Sequence, residues 1–159
     1  MPKITPCLWF DREAEEAAKF WCAIFPDSRI VDVSRYPENL PGDRAGEVLT
    51  VVFELDGKRF MGLNGGPQFP FTEAVSMEIE VDTQAELDRY WDALLAGGGK
   101  ESQCGWLKDR FGFSWQVTPR QLGELMAGPD KARAGRVAAA MMQMIKLDIA
   151  KLEAAAAAG

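Results

Sequence analysis

The chain has 159 residues, and a composition of 47% hydrophobic and 26% charged residues is that of one ordinary globular domain. Its net charge of −6 argues against nucleic acid or an anionic membrane as a partner, because both attract basic surfaces. We expect no secretory signal and no membrane span, and three cysteines without a Cys-x-x-Cys pair are typical of a reduced cytoplasmic protein.

The first half of the chain reads as a strand, a helix and three further strands. Ile4–Phe10 is mostly apolar, which predicts a strand, and Asp11 is placed to cap the helix that follows. An apolar stripe at helical spacing continues to Pro26, which ends the helix. Strands are predicted over residues 30–36, 47–55 and 58–64, with a hairpin turn at Asp56-Gly57.

The second half repeats this plan. Val75–Val81 alternates apolar and polar residues as a strand does, and Thr83 with Glu86 predicts a capping box at the start of a helix. A hairpin is predicted within residues 103–117, then a short helix over 119–127. One long last helix, beginning at Pro129 or Asp130, would carry an apolar stripe from Val137 to Leu152. A βαβββ unit used twice would produce this order, although two unrelated amphipathic helices would also resemble one another.

Several segments resemble the vicinal-oxygen-chelate superfamily, which includes glyoxalase I, bleomycin-resistance proteins and extradiol dioxygenases. The resemblance is nearest to its PhnB-like branch, often labelled demethylubiquinone methyltransferase-like. It covers nearly the whole chain and lies in Ile4–Phe10, Phe20-Trp21 with Phe25–Ser28, Leu63–Pro67, Gly105–Gly112 and Ser114–Gln116. The resemblance implies an α+β fold of two βαβββ modules with concave mixed sheets, and a homodimer. The modules would span about 1–68 and 69–118 within a domain of residues 1–128, and residues 129–159 would add a C-terminal helix with a frayed tail.

Metal-bearing relatives take four ligands from the first and last strands of each module. The matching positions here are Thr5 or Cys7, then Asn64, then Val75 or Ser76, then Gln116. Amides, hydroxyls and one thiol are poor ligands for zinc, iron or nickel, and the chain has no histidine. We therefore predict no metal and no other cofactor.

The candidate ligand-binding residues are Cys7, Asn64, Ser76, Trp106 and Gln116. Each amide could instead bond to a neighbouring strand end. Trp106 is assigned to the pocket and Trp115 to the helix-facing core.

Two further residues are weak catalytic candidates. Glu78 shares a strand face with Ser76 and would be a general base if that face is concave, or a solvated carboxylate if it is open. Cys104 lacks a histidine to activate it, so packing is the alternative to nucleophilic catalysis. The trio Lys108-Asp109-Arg110 could grip an anion or form a solvated hairpin tip, with Asp109 bonding the turn backbone.

The sequence favours a small-molecule-binding protein of the PhnB-like branch that lacks the usual metal site. The alternative is an enzyme, either a metal-dependent lyase or dioxygenase with unusual ligands or a metal-free acid–base catalyst using Glu78.

Overall fold

A computed structural model describes residues 4–39 and 44–158. The chain divides into two compact units, with the boundary between Phe71 and Thr72. Among the described residues, no helix combines the length and the apolar character that crossing a bilayer requires.

The first unit is one βαβββ module. Its elements in chain order are β1 (Cys7–Phe10), α1 (Ala14–Ile24), β2 (Arg29–Arg35), β3 (Val48–Leu55) and β4 (Lys58–Asn64). The sheet has the strand order β1-β4-β3-β2, in which β1 runs parallel to β4 and the other pairs are antiparallel. The predicted hairpin turn is present, with positive φ angles at Asp56 and Gly57.

Helix α1 covers one face of this sheet. Its stripe of small residues and Trp21 is fully buried, and Trp21 packs against Phe53 of β3 with ring centroids 5.8 Å apart. The predicted cap is wrong, because Asp11 lies outside the first turn and α1 has no side-chain cap of its own. The side chain of Asn64 takes that role from β4, since its Oδ1 accepts a hydrogen bond from the Ala14 N–H at 2.9 Å.

The second unit repeats the module. Its elements are β5 (Ser76–Val81), α2 (Gln84–Leu95), β6 (Lys100–Glu101), β7 (Trp106–Lys108) and β8 (Ser114–Pro119), followed by α3 (Arg120–Met126), α4 (Lys131–Met141) and α5 (Ile149–Ala157). The strand order β5-β8-β7-β6 and the parallel β5–β8 pair match those of the first sheet. The capping box of Thr83 and Glu86 is present, and the α+β fold of two modules is confirmed.

The C-terminal region forms two helices, and the prediction of one long helix is wrong. Backbone N–H groups of Cys104 and Gly105 donate to the carbonyls of Met144 and Ile145 at 2.8 and 2.7 Å, which ties residues 144–145 to the start of β7. These bonds fix a non-helical segment, and the Asp148 side chain then caps α5.

The apolar stripe of this region is covered inside the second unit. Val137 and Leu152 are fully buried, and Leu147 is 1% exposed. Gln84 of α2 holds the segment by bonding to the Leu147 carbonyl and the Ile149 N–H. The two helices therefore belong to the core of the second unit.

Candidate functional site

The second sheet has one face packed under α2 and one open face. Leu107, Trp115 and Val117 point to the packed face and are almost completely buried. Side chains alternate along a strand, so their neighbours point the other way. The strand register then places two rows of side chains across the strands on the open face. One row is formed by Ser76, Ser114, Lys108 and Lys100, and the neighbouring row by Glu78, Gln116 and Trp106.

Two residues that the sequence placed in the site meet on this face. The Gln116 Nε2 donates to the Ser76 Oγ at 2.9 Å, although the residues lie 40 positions apart. Trp106 is the register partner of Gln116 and is half-buried beside it. Ser76, Trp106 and Gln116 therefore form one continuous surface of polar and aromatic groups.

A cleft of about 250 Å³ opens next to this surface. Its walls come from the turn before β5 and from β6, β7 and β8: Glu73, Lys100, Glu101, Ser102, Trp106, Leu107, Lys108 and Ser114. The floor is unusual, because Ser114 is 1% exposed and its hydroxyl has no hydrogen-bond partner. Buried polar groups in folded proteins are almost always paired, so an orphaned hydroxyl in a cleft has room for a partner from outside the chain, either a water molecule or a ligand atom.

Three of the four charged groups that line the cleft, Glu73, Glu101 and Lys108, have a partner within the unit. Lys108 Nζ lies 2.6 Å from the Glu73 Oε1, and this contact holds the pKa of the Glu73 carboxyl below its usual value. The Glu101 carboxylate accepts a hydrogen bond from the Trp91 indole at 3.0 Å, which anchors β6 to α2. Lys108 thus presents the ammonium group, while Glu73 is the carboxylate in direct contact with it.

The hairpin between β7 and β8 is shaped by one buried carboxylate. The Asp109 Oδ1 accepts bonds from the N–H groups of Phe111 and Phe113, and its Oδ2 accepts one from the Trp115 indole at 2.9 Å. Asp109 is 3% exposed, so the trio with Lys108 and Arg110 is not a solvated tip as a whole. The turn bonds fix the register in which Lys108 faces Ser114.

The first unit separates the two candidate residues that the sequence assigned there. Cys7 is the register partner of Met61 and is exposed, whereas Asn64 pairs with Phe10 on the helix-covered face. Both ends of the Asn64 amide are used, since its Nδ2 also donates to the Val48 carbonyl at 3.0 Å. Asn64 therefore has a structural role at the start of α1, and its assignment to ligand binding stays a prediction. Partial desolvation raises the pKa of the Cys7 thiol, which disfavours the thiolate.

The two weak catalytic candidates lie in different surroundings. Glu78 points to the open face and is exposed to solvent. Cys104 adopts a positive φ of 57° in the turn before β7, and its backbone bonds to the C-terminal segment. This position supports a packing role for Cys104.

The donor groups do not fit the metal site of the metal-bearing relatives. Asn64 already accepts a bond from α1, and Ser76 and Gln116 are bonded to one another. Among the described residues, no three His, Cys, Asp or Glu side chains are grouped so that they could hold an ion. Neutral amide and hydroxyl oxygens alone do not make a transition-metal site.

Sequence reasoning missed six of the eight residues that line the cleft: Glu73, Lys100, Glu101, Ser102, Leu107 and Ser114. Ser114 lies two positions before Gln116 on the same strand, so alternation could have added it to the site. Glu73 and Lys100 belong to a turn and a two-residue strand, which have no periodic pattern to read.

Residues 2–118 match the protein family described as 3-demethylubiquinone-9 3-methyltransferase. Among solved structures, the chain is similar to a protein from Bacillus cereus titled as a putative 3-demethylubiquinone-9 3-methyltransferase, PhnB protein. The two share 36% identity with a TM-score of 0.66, and the alignment covers 74% of this chain and 99% of that one.

Two more distant structures show the same fold. A protein from Pseudomonas aeruginosa is 21% identical with a TM-score of 0.62, over 75% of this chain and 98% of that one. The fosfomycin resistance protein FosX from Listeria monocytogenes, complexed with Mn(II) and sulfate ion, is 14% identical with a TM-score of 0.51, over 85% and 96%. None of the curated proteins is a significant match.

Proposed function

We propose that this chain, which belongs to the 3-demethylubiquinone-9 3-methyltransferase family together with PhnB proteins, is a metal-free protein that binds a small organic molecule. The family description is weak support for a methyltransferase activity, because the glycine motifs that typically bind nucleotide cofactors lie directly before a helix. The clusters at Gly65-Gly66 and Gly97–Gly99 follow a strand and a helix, and no helix begins directly after either.

One observation carries the proposal: the orphaned hydroxyl of Ser114 at the bottom of the cleft beside Trp106. Leaving a hydroxyl buried without a partner costs stability, and a ligand atom in the cleft would supply that partner. The Gln121 Oε1 and the Arg133 Nε are also buried and unpaired, but neither residue lines the cleft. The flat face of Trp106 offers apolar contact next to it, and Gln116 with Ser76 continues the polar wall. Small-molecule sites typically combine these elements, an apolar wall and a few convergent polar groups.

Binding is favoured over catalysis by the chemistry of the face. A metal-free catalyst needs a positioned base or an activated nucleophile. Glu78 is solvated, and Cys104 lies in a turn that holds the C-terminal segment. A binding role therefore explains the arrangement of these residues, because it requires no general base and no activated nucleophile.

The test is a fragment screen followed by NMR with 15N-labelled protein. Bound fragments should shift the indole N–H signal of Trp106 and the amide signals of Ser114 and Gln116. Gln116→Ala should weaken the fragments that bind, and Gln143→Ala, the same change at an exposed residue beyond α4, should not. The proposal fails if fragments bind elsewhere, or if both variants behave alike.

We also propose a homodimer in the cytoplasm. Large apolar side chains of the second unit remain exposed, among them Val75, Met142 and Ile145 at 44–64%, and a second copy would cover such groups. Sedimentation of the intact chain at micromolar concentration should give twice the monomer mass of 17.6 kDa. A stable monomer would contradict this.

A further inference from the structure

We propose that the cleft recognises a small planar organic anion, and that the Glu73 carboxylate occupies the place of the ligand's carboxylate when the cleft is empty. This inference rests on the proposed binding function and adds the chemical class of the ligand. It is drawn from the ion pair of Lys108 with Glu73, the orphaned hydroxyl of Ser114 opposite Lys108, and the Trp106 ring beside them.

The ion pair shows which charge the cleft accepts. Lys108 Nζ holds a carboxylate oxygen at 2.6 Å, and the Lys108 side chain is only 32% exposed. The Lys108 ammonium therefore already holds a carboxylate at the cleft, and a ligand carboxylate has the same geometry as the carboxylate of Glu73.

The partner is easily displaced. The Glu73 side chain is 65% exposed and stands in a turn whose neighbours, residues 72–75, are all exposed. An ion pair on such an exposed side chain is weak, because holding the long side chain in one geometry costs entropy and solvent screens the charges. A ligand that also contacts the cleft walls can therefore replace Glu73 at Lys108.

The walls determine the rest of the ligand. Register places Ser114 opposite Lys108 on the neighbouring strand, so one carboxylate can pair with the ammonium and accept the Ser114 hydroxyl proton. A volume of about 250 Å³ is at the small end for a binding site, since drug-sized ligands fill about 300–1,000 Å³. The Trp106 ring then favours a flat body of the size of one aromatic ring.

Other charges near the mouth leave this preference in place. Lys100 is on the same row as Lys108 and adds a second positive charge to the wall. Glu101 is turned by register toward the helix side, where the Trp91 indole binds its carboxylate. Once Glu73 moves away, Lys108 and Lys100 dominate the open side of the cleft.

The experiment compares benzoate with benzamide, which has the same shape and no charge. Both are titrated to about 10 mM against 15N-labelled protein, because ligands this small bind at about 1 mM. The variants are Lys108→Met, which keeps the length of the side chain, and Glu73→Gln. Lys58→Met is the matched control, since Lys58 forms an exposed ion pair of the same 2.6 Å length with Asp56 in the first unit.

We expect benzoate to shift the signals of Ser114 and Trp106, with a dissociation constant about tenfold or more higher in Lys108→Met. Glu73→Gln should lower that constant by about two- to fivefold, because the competing carboxylate is gone. The dissociation constant of benzamide should change by less than twofold in either variant. Lys58→Met should leave the dissociation constants of both benzoate and benzamide unchanged.

Two results would overturn the inference. If benzoate and benzamide bind in the cleft equally and independently of Lys108, the anion preference is wrong while the binding function stands. If neither probe shifts the cleft signals, in the wild type or in Glu73→Gln, both the inference and the proposed function fail.

Discussion

Replacing Ser114 with alanine should make the protein more stable, which few substitutions of a buried residue do. The hydroxyl is removed from water and has no hydrogen-bond partner, and such burial costs about 1–3 kcal/mol in proteins. Alanine removes that penalty and leaves only a void the size of one oxygen. We expect a net gain of about 1 kcal/mol in the free energy of unfolding.

Ser76→Ala is the matched control, because Ser76 is the register partner of Ser114 on the next strand. Its hydroxyl accepts the Gln116 bond at 2.9 Å, so the same chemical change should cost about 0.5–1.5 kcal/mol. The two variants should differ by about 2 kcal/mol, or about 4–8 °C in Tm for a chain of this size. Urea titrations followed by tryptophan fluorescence and thermal melts followed by circular dichroism measure both quantities.

Opposite signs for the two serines are the decisive outcome. If Ser114→Ala destabilises as much as Ser76→Ala, the Ser114 hydroxyl has a partner in solution and the argument for an open ligand position collapses. If Ser114→Ala is more stable but loses benzoate binding, the hydroxyl is retained for function at a cost in stability.

Four further predictions concern the scaffold and the metal. Asp109→Ala leaves the buried donors of Phe113 and Trp115 without an acceptor, and should cost about 2–5 kcal/mol in urea unfolding, whereas Asp56→Ala at an exposed turn should cost far less. The hydrogen bond from Lys146 lowers the pKa of Asp88, so the stabilisation by this pair is complete above about pH 4, the pKa of an unfolded aspartate. The stability difference between the wild type and Asp88→Asn should be constant above that pH and should shrink as the pH falls below it toward the lowered pKa. Leu152→Ala should lower the free energy of unfolding by about 2–5 kcal/mol, because α5 is part of the core of the second unit. Removal of residues 129–159 should lower it further, and a truncated chain as stable as the intact one would contradict this. Elemental analysis of protein purified without chelator should find no stoichiometric zinc, iron, nickel or manganese. One tightly bound ion per chain would refute the conclusion that these amide and hydroxyl groups do not form a transition-metal site.

Local patterns in the sequence determined the modules and the faces of the second sheet. Alternation along β5 and β8 placed Ser76 and Gln116 on one face and Trp115 on the other, because a strand can present its side chains in only two directions. The capping box at Thr83 and the hairpin turn at Asp56-Gly57 depend on neighbouring residues alone, and the sequence predicted both.

Contacts between distant residues decided the rest. Asn64 caps α1 across 50 positions, which no local pattern shows. The C-terminal pattern predicted one helix because helical periodicity does not show distant contacts. The N–H groups of Cys104 and Gly105 bind the carbonyls of Met144 and Ile145 and hold a non-helical segment between α4 and α5. The orphaned Ser114 and the Glu73–Lys108 pair exist only where four separate segments meet, so hydrogen-bond partners and burial, which are properties of the folded chain, were needed to find the cleft.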